Sequence, residues 1–238
     1  MKPGVAMLTR LGPSAVVLAG SFMAAPAPAA ADSEFCHGVD FDIKRPLVVS
    51  RVTAPARVYF VRGADENASC PSDAPACRRP DYLLSGDLVL MGKTHPPYVC
   101  VAFQSPLARK QDWTNGWLPA STLMPVAPSP APKDSDWTGE WVHPGGSITI
   151  AEGGGMLKVD GLQTYPALLN VHTGVLNATV RPAHDMIAFN EDGSTPFDEG
   201  TEGDCLVRMQ RIGPWLAVED NGACGGVMVT FTGLYRRK

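Results

Sequence analysis

The sequence predicts an all-β protein built in two halves, and three observations carry that prediction. Wherever apolar patterning is sustained it has a period of two, not 3.6. The 24 glycines and 22 prolines cut the 238-residue chain into short segments bounded by turn signals. All six cysteines lie beyond residue 31, an even number that suits a disulfide framework. The stretch 203–237 is the clearest. Cys205, Val207 and Met209 alternate with Leu206, Arg208 and Gln210, and Leu216 and Val218 keep the period after Gly213-Pro214, which reads as a hairpin. Past Asp220-Asn221-Gly222, the residues Val227, Val229, Phe231, Gly233 and Tyr235 share one face, predicting a long final strand with one buried side.

At the start, Lys2 and Arg10 precede the apolar run LGPSAVVLAGSFM and the small-residue tract AAPAPAAAD, the three parts of a secretory signal peptide over 1–31. The run is well short of the ~20 residues of a spanning helix, so no membrane insertion is expected. The expected location is periplasmic or secreted. Without residues 1–31 the chain keeps 18 basic against 24 acidic residues, a net charge of −6 that argues against nucleic acid or an anionic membrane as partner. In an oxidising compartment the cysteines favour disulfides over metal, and no second close pair joins Cys70 and Cys77 to complete a zinc site. The tract VAPSPAPKDSD, residues 126–136, is a stiff proline-rich spacer. It separates residues 32–125, with four cysteines, from residues 137–238, with two cysteines and seven basic against twelve acidic residues.

In the first half the strand signals are short: Val58 and Phe60 alternate with Arg57 and Tyr59, Leu88 and Leu90 follow Ser85-Gly86-Asp87, and Val99, Val101 and Phe103 oppose Tyr98, Cys100 and Ala102. The segment 81–125, with Gly86-Asp87 opening DLVLMGK, then YVCVAFQ, then Gly116-Trp117-Leu118-Pro119 before a single-turn segment, resembles the second half of a bacterial SH3-type domain. The CPSDAPAC loop would occupy the place of the long variable loop of that family. Four cysteines allow three connectivities; the one favoured closes Cys70 with Cys77 and leaves Cys36 to reach Cys100. The resemblance implies an aromatic groove for an extended peptide, for which Tyr59, Tyr82, Trp113 and Trp117 are the candidates. The competing account of Trp117 is that it is core.

The second half opens with Trp137-Thr138-Gly139-Glu140-Trp141. Strands are expected at 147–150 and 157–159, with Asp160-Gly161 as a hairpin turn, and again around 174–180 and 186–190 before the terminal unit. About eight strands in some 100 residues is the pattern of a sandwich or small closed barrel. Gly139 and Trp141 on the first strand and an arginine on the last, Arg236 or Arg237, with Arg236 taken as the closing residue, resemble the lipocalin and avidin-like calycin barrels. There the arginine packs across the tryptophan and closes the barrel end. Biotin binding is not implied, because no biotin-contacting residues match. Signal peptide, SH3-like segment, spacer and a terminal CGG…F-x-G-x-Y-R-R together resemble a group of exported proteobacterial proteins, a resemblance that implies fold and location more than activity.

No constellation points to catalysis. His37, His95, His143, His172 and His184 lack metal-motif spacing, no Gly-x-Ser-x-Gly elbow is present, and the even cysteine count leaves no free thiol. The acidic loop 191–204 lacks the residue order of a calcium loop and reads as a solvated connection. Cys205 and Cys224 are expected to pair, fixing a loop in which Glu219, Asp220 and Asn221 are the polar groups available for binding. The expectation is therefore an exported, non-enzymatic binding module without cofactor or metal. Its partner would be a cell-wall peptide or a periplasmic or secreted protein. The alternative is an inhibitor or immunity-type protein against a lysozyme-like enzyme, whose basic surface the −5 charge of the second half would attract.

Overall fold

The structure is a computed structural model describing residues 1, 35–39, 43, 45–105, 113–130, 132–190 and 193–238. The predicted signal peptide, apart from Met1, and Glu191 and Asp192 of the acidic loop lie outside the described residues. The fold is all-β, with two antiparallel sheets in one compact unit from residue 31 to the end. No helix among the described residues is long and apolar enough to cross a membrane.

The first sheet has seven strands: β1 (Val48–Val52), β2 (Val58–Val61), β3 (Arg78–Leu83), β4 (Leu88–His95), β5 (Tyr98–Phe103), β6 (Thr114–Pro119) and β7 (Leu123–Pro125). They run in the order β3-β2-β6-β5-β4-β1-β7. Strand β5 is central and buried on both faces, so its alternation serves two cores. Val99 and Val101 join Val52, Phe60, Val89 and Leu118 on one side. Tyr98 and Cys100 join Trp117 and the Cys70–Cys77 pair on the other.

The disulfides are Cys36–Cys100, Cys70–Cys77 and Cys205–Cys224, the expected pairing. Two of them pack around Trp117, supplying buried mass and cross-linking where strands this short hold little hydrophobic core.

The second sheet is a nearly closed barrel of eight strands: β8 (Gly139–His143), β9 (Gly146–Gly153), β10 (Met156–Pro166), β11 (Val171–Val180), β12 (Met186–Asn190), β13 (Leu206–Ile212), β14 (Trp215–Asp220) and β15 (Gly233–Arg237). Their order is β11-β10-β9-β8-β15-β14-β13-β12. The period of two puts Ile148, Ile150, Leu157, Val159, Leu176 and Val207 inside, with Trp141 and Tyr235 fully buried among them. A one-turn helix, α1 (Asp134–Trp137), ends the spacer and drives Trp137 into the same core. Before it the spacer is docked to both sheets, Val126 N donating to Val49 O and Ser129 N to Arg211 O.

Three sequence expectations change here. The Asp160-Gly161 pair is not a turn but lies inside β10, paired with Thr149 and Ile148 on one side and Asn177 and Leu176 on the other. The turn falls at Gly154-Gly155, whose φ values of +64° and +75° only glycine adopts readily. Gly161 serves packing instead, since a Cβ there would meet Leu176 and Phe231 at 3.1 Å.

The final strand is shorter than expected and begins at Gly233. Before it, Met228 has φ +68° and Thr232 N donates to Asp220 Oδ1 at 3.1 Å, so a carboxylate replaces a ladder partner. Val229 and Phe231 nevertheless remain buried, while Val227 is exposed.

The last-strand arginine that packs over Trp141 is Arg237, not Arg236. Arg237 pairs with Trp141 in register, and its guanidinium lies 4.8 Å from that ring centroid, while Arg236 pairs with Val142. Parity explains this: Arg237 shares the face of buried Tyr235, and Arg236 takes the opposite one. Arg237 also donates to Asp136 O at 2.8 Å. Gly139, with φ +129°, leaves room beside the Arg237 side chain. Replacing Arg237 by alanine is expected to lower stability by about 1 kcal/mol, and the Arg236 replacement by less than about 0.5 kcal/mol. Paired thermal melts check this.

Candidate functional site

Of the four aromatics predicted to form a groove, the structure gathers two on an exposed face. Tyr59 and Tyr82 are cross-strand partners on β2 and β3, with ring centroids 5.6 Å apart. Each is covered by an arginine: Arg78 lies 3.4 Å from the Tyr59 centroid and Arg57 4.3 Å from that of Tyr82. The result is a row of two rings capped at each end by a cation, Arg78, Tyr59, Tyr82, Arg57, on β2, β3 and the residue that leads into β2. The Arg57 guanidinium, bonding to the Tyr59 hydroxyl, holds that phenol below its ordinary pKa, and Arg78 acts in the same direction.

Trp117 is not part of this face. It is fully buried between the two disulfides, because Gly116 and Trp117 lie on opposite sides of β6 and the tryptophan takes the side of Cys100. Trp113 packs elsewhere, against the cluster joining the two sheets: Val49, Leu88 and Leu90 from the first with Ile212 and Ala217 from the second.

The CPSDAPAC loop borders the sheet and is tied down by side chains. Tyr98 donates its hydroxyl to Asp73, and Ser72 Oγ is 3.1 Å from Cys77 Sγ. Burial, reinforced by Asp73, pushes the Tyr98 phenol up to about 12. Arg62 donates to Ala76 O, and Arg79 bridges Glu66 and Asp81 at 3.8 and 3.2 Å. These contacts fix β3, and with it the position of Tyr82.

The polar trio of the Cys205–Cys224 loop is structural more than it is available. Asp220 is buried and accepts from Thr232 Oγ1 at 2.7 Å. Asn221 Oδ1 accepts from Leu206 N at 3.1 Å, and its Nδ2 donates to Asp204 O at 2.8 Å. Glu219 is 2% exposed and sits 3.7 Å from Arg208. It alone of the three lines a concavity, of about 260 Å³, together with Arg45, Leu47, Met91 and Lys93.

Several polar residues of consequence were not singled out by the sequence. Arg208 is buried outside the barrel wall, where it donates to Ile43 O and lies over Phe197. Arg211, like Arg237, lies over Trp141, 4.4 Å from its ring centroid, and burial together with the Arg237 charge lowers its pKa. His143 is buried and stacked on Tyr235 at 4.6 Å, with burial holding its pKa down at about 4. The available signal for His143 was parity, since it lies two residues from Trp141 on the same strand.

Among the described residues no group of three or more His, Cys, Asp or Glu side chains is placed to hold a metal ion. Comparison with family models, with curated proteins and with solved structures gave no match.

Proposed function

We propose that this protein is an exported binding module that holds an extended, carboxylate-bearing peptide, from the cell wall or from another protein, against the Tyr59–Tyr82 face. The observation that carries the reading is the pair of half-buried Tyr59 and exposed Tyr82 flanked by stacked Arg57 and Arg78. Tyrosine offers rigid contact area at low entropic cost. A guanidinium stacked on a ring keeps its in-plane N–H donors for a carboxylate. The ligand lies across the strands and does not extend the sheet. Strand β3 is the sheet edge, but Pro80 within it has no N–H to give an added strand. Three disulfides suit an oxidising compartment, which supports a periplasmic or secreted location.

Co-sedimentation with purified peptidoglycan tests the reading. The oxidised protein is expected to pellet with the wall, and Tyr59→Ala/Tyr82→Ala to weaken binding at least tenfold, about 1.4 kcal/mol. Neither side chain belongs to a core cluster, so the variant is expected to keep its circular dichroism spectrum. No pelleting, or pelleting indifferent to the double substitution, would count against the peptide face. Loss of lysozyme turnover without wall binding would favour the inhibitor reading instead.

A further inference from the structure

We infer that Asn67 is an acceptor for the transfer of an N-linked oligosaccharide, and that Asn177, which lies in the same short sequence pattern, is not. Asparagine followed two residues later by serine or threonine, with no proline between them, is the pattern that such transfer requires. The chain holds it at Asn67-Ala68-Ser69 and again at Asn177-Ala178-Thr179. Asp65 stands two residues ahead of the first and completes the longer acid-x-Asn-x-Ser form, whereas Val175 holds that place before the second. N-linked transfer belongs to exported chains, so the inference rests on the export proposed above.

The fold separates the two. Asn67 lies in an irregular segment between β2 and Cys70, and Asp65, Glu66, Ala68 and Ser69 around it are exposed. Ser69 donates twice to Asn67 Oδ1, from its N at 3.1 Å and from its Oγ at 2.9 Å. The carboxamide oxygen is thereby held, and the Nδ2 donates to no other group among the described residues. Asn177 is the reverse. It sits within β11 in register with Asp160, and its Nδ2 donates to Asp160 Oδ1 at 2.8 Å. Strand geometry carries Thr179 about 7 Å further along the same face, so carboxamide and hydroxyl close no turn there.

The Asn67 turn is also preformed. Gly63 O accepts from Glu66 N and Asn67 N, both at 3.1 Å, and Asn67 O accepts from Cys70 N at 2.8 Å. Cys70 is bonded to Cys77, and Glu66 is bracketed by Arg62 and Arg79 at 3.7 and 3.8 Å. An acceptor already held in shape gives up little conformational entropy on entering a transferase, so the oxidised, folded chain is itself the substrate. The donor is an oligosaccharide linked through pyrophosphate to a lipid. In the transfer the bond between the sugar C1 and the pyrophosphate oxygen breaks, a C1–Nδ2 bond forms, Nδ2 gives up one proton, and the lipid pyrophosphate leaves. The carboxamide nitrogen is a weak nucleophile that the transferase must activate; what this chain supplies is its presentation on an exposed turn.

Purified, oxidised chain incubated with a bacterial oligosaccharyltransferase and its lipid-linked oligosaccharide reads the outcome by intact mass and peptide mapping, with a short acceptor peptide as the activity standard. One glycan is expected, on the peptide that carries Asn67. Asn67→Gln and Ser69→Ala should abolish it, and Ser69→Thr should keep it. Asp65→Ala should slow transfer about tenfold or more, the loss of one charge-assisted contact. Asn177→Gln should change nothing. No transfer to the folded chain while the standard peptide is modified overturns the inference. Transfer to Asn177 as fast as to Asn67, or transfer only after reduction and unfolding, overturns it equally. Because the reaction is run on purified protein, its failure is distinct from a failure of export, which an uncleaved chain retained in the cytoplasm of the producing cell would show.

Discussion

Replacing Cys36 and Cys100 together by alanine is expected to lower the unfolding free energy by about 4 kcal/mol, the largest loss of any cystine in the chain. The bond spans 64 residues, against 19 for Cys205–Cys224 and 7 for Cys70–Cys77. Loop-closure entropy then ranks the three at about 4, 3 and 2 kcal/mol. Cys36–Cys100 and Cys70–Cys77 share one packing environment around Trp117, so their difference isolates the chain-length contribution from lost contacts. Urea unfolding of the three double variants checks the ranking. Equal losses at all three sites would mean that native packing, not the unfolded chain, determines what the cystines contribute.

Stability is expected to fall by about 3 kcal/mol between pH 6.5 and pH 4 on account of His143 alone. The imidazole is buried against Tyr235, and its folded pKa of about 4 lies below the ordinary value of 6.5. A depressed folded pKa means that below pH 6.5 the unfolded chain takes up the proton first. The contribution is therefore complete above pH 6.5, is lost progressively on acidification, and levels off below pH 4. His143→Gln should flatten that part of the profile even where it lowers stability throughout. Gly233 limits the replacement, since His143 occupies the space its Cβ would need. Unfolding free energies of both proteins at pH 7.5, 5.5 and 4.5 decide it, and an unchanged slope in the variant would place the acid sensitivity elsewhere.

The strands were legible in the sequence where one face meets a core and the other meets water. Val207, Met209, Leu216 and Val218 showed the barrel wall by alternation alone. The cystines were legible because the even count and the short Cys70–Cys77 spacing left few choices. What alternation hides is which outer faces are covered. Arg208 sits on the outward side of β13 and reads as solvent-facing, yet it is buried, donating to Ile43 O and lying over Phe197. Asp160-Gly161 has the composition of a tight turn, but a glycine needed to admit Leu176 and Phe231 looks no different in sequence from one needed for positive φ.

The candidate site was half legible. Tyr59 and Tyr82 were named, but their juxtaposition depends on the β2–β3 register, and that register is disturbed between Tyr59 and Val61. Arg57 and Arg78, which cover the two tyrosine rings, lie too far apart in sequence to be linked without the fold. Trp117 was a groove candidate by residue type, with a place in the core as the competing account. The fold puts it in the core, because it pairs with Cys100 and takes the face of β6 on which both disulfides pack.

The most direct measurement is a ¹H–¹⁵N spectrum of the oxidised protein titrated with soluble peptidoglycan stem peptides. The account predicts saturable shifts concentrated on Arg57, Tyr59, Arg78 and Tyr82, and their loss in Tyr59→Ala/Tyr82→Ala. An unperturbed spectrum, or shifts gathered around Glu219 and Lys93 with the tyrosine face silent, would contradict it.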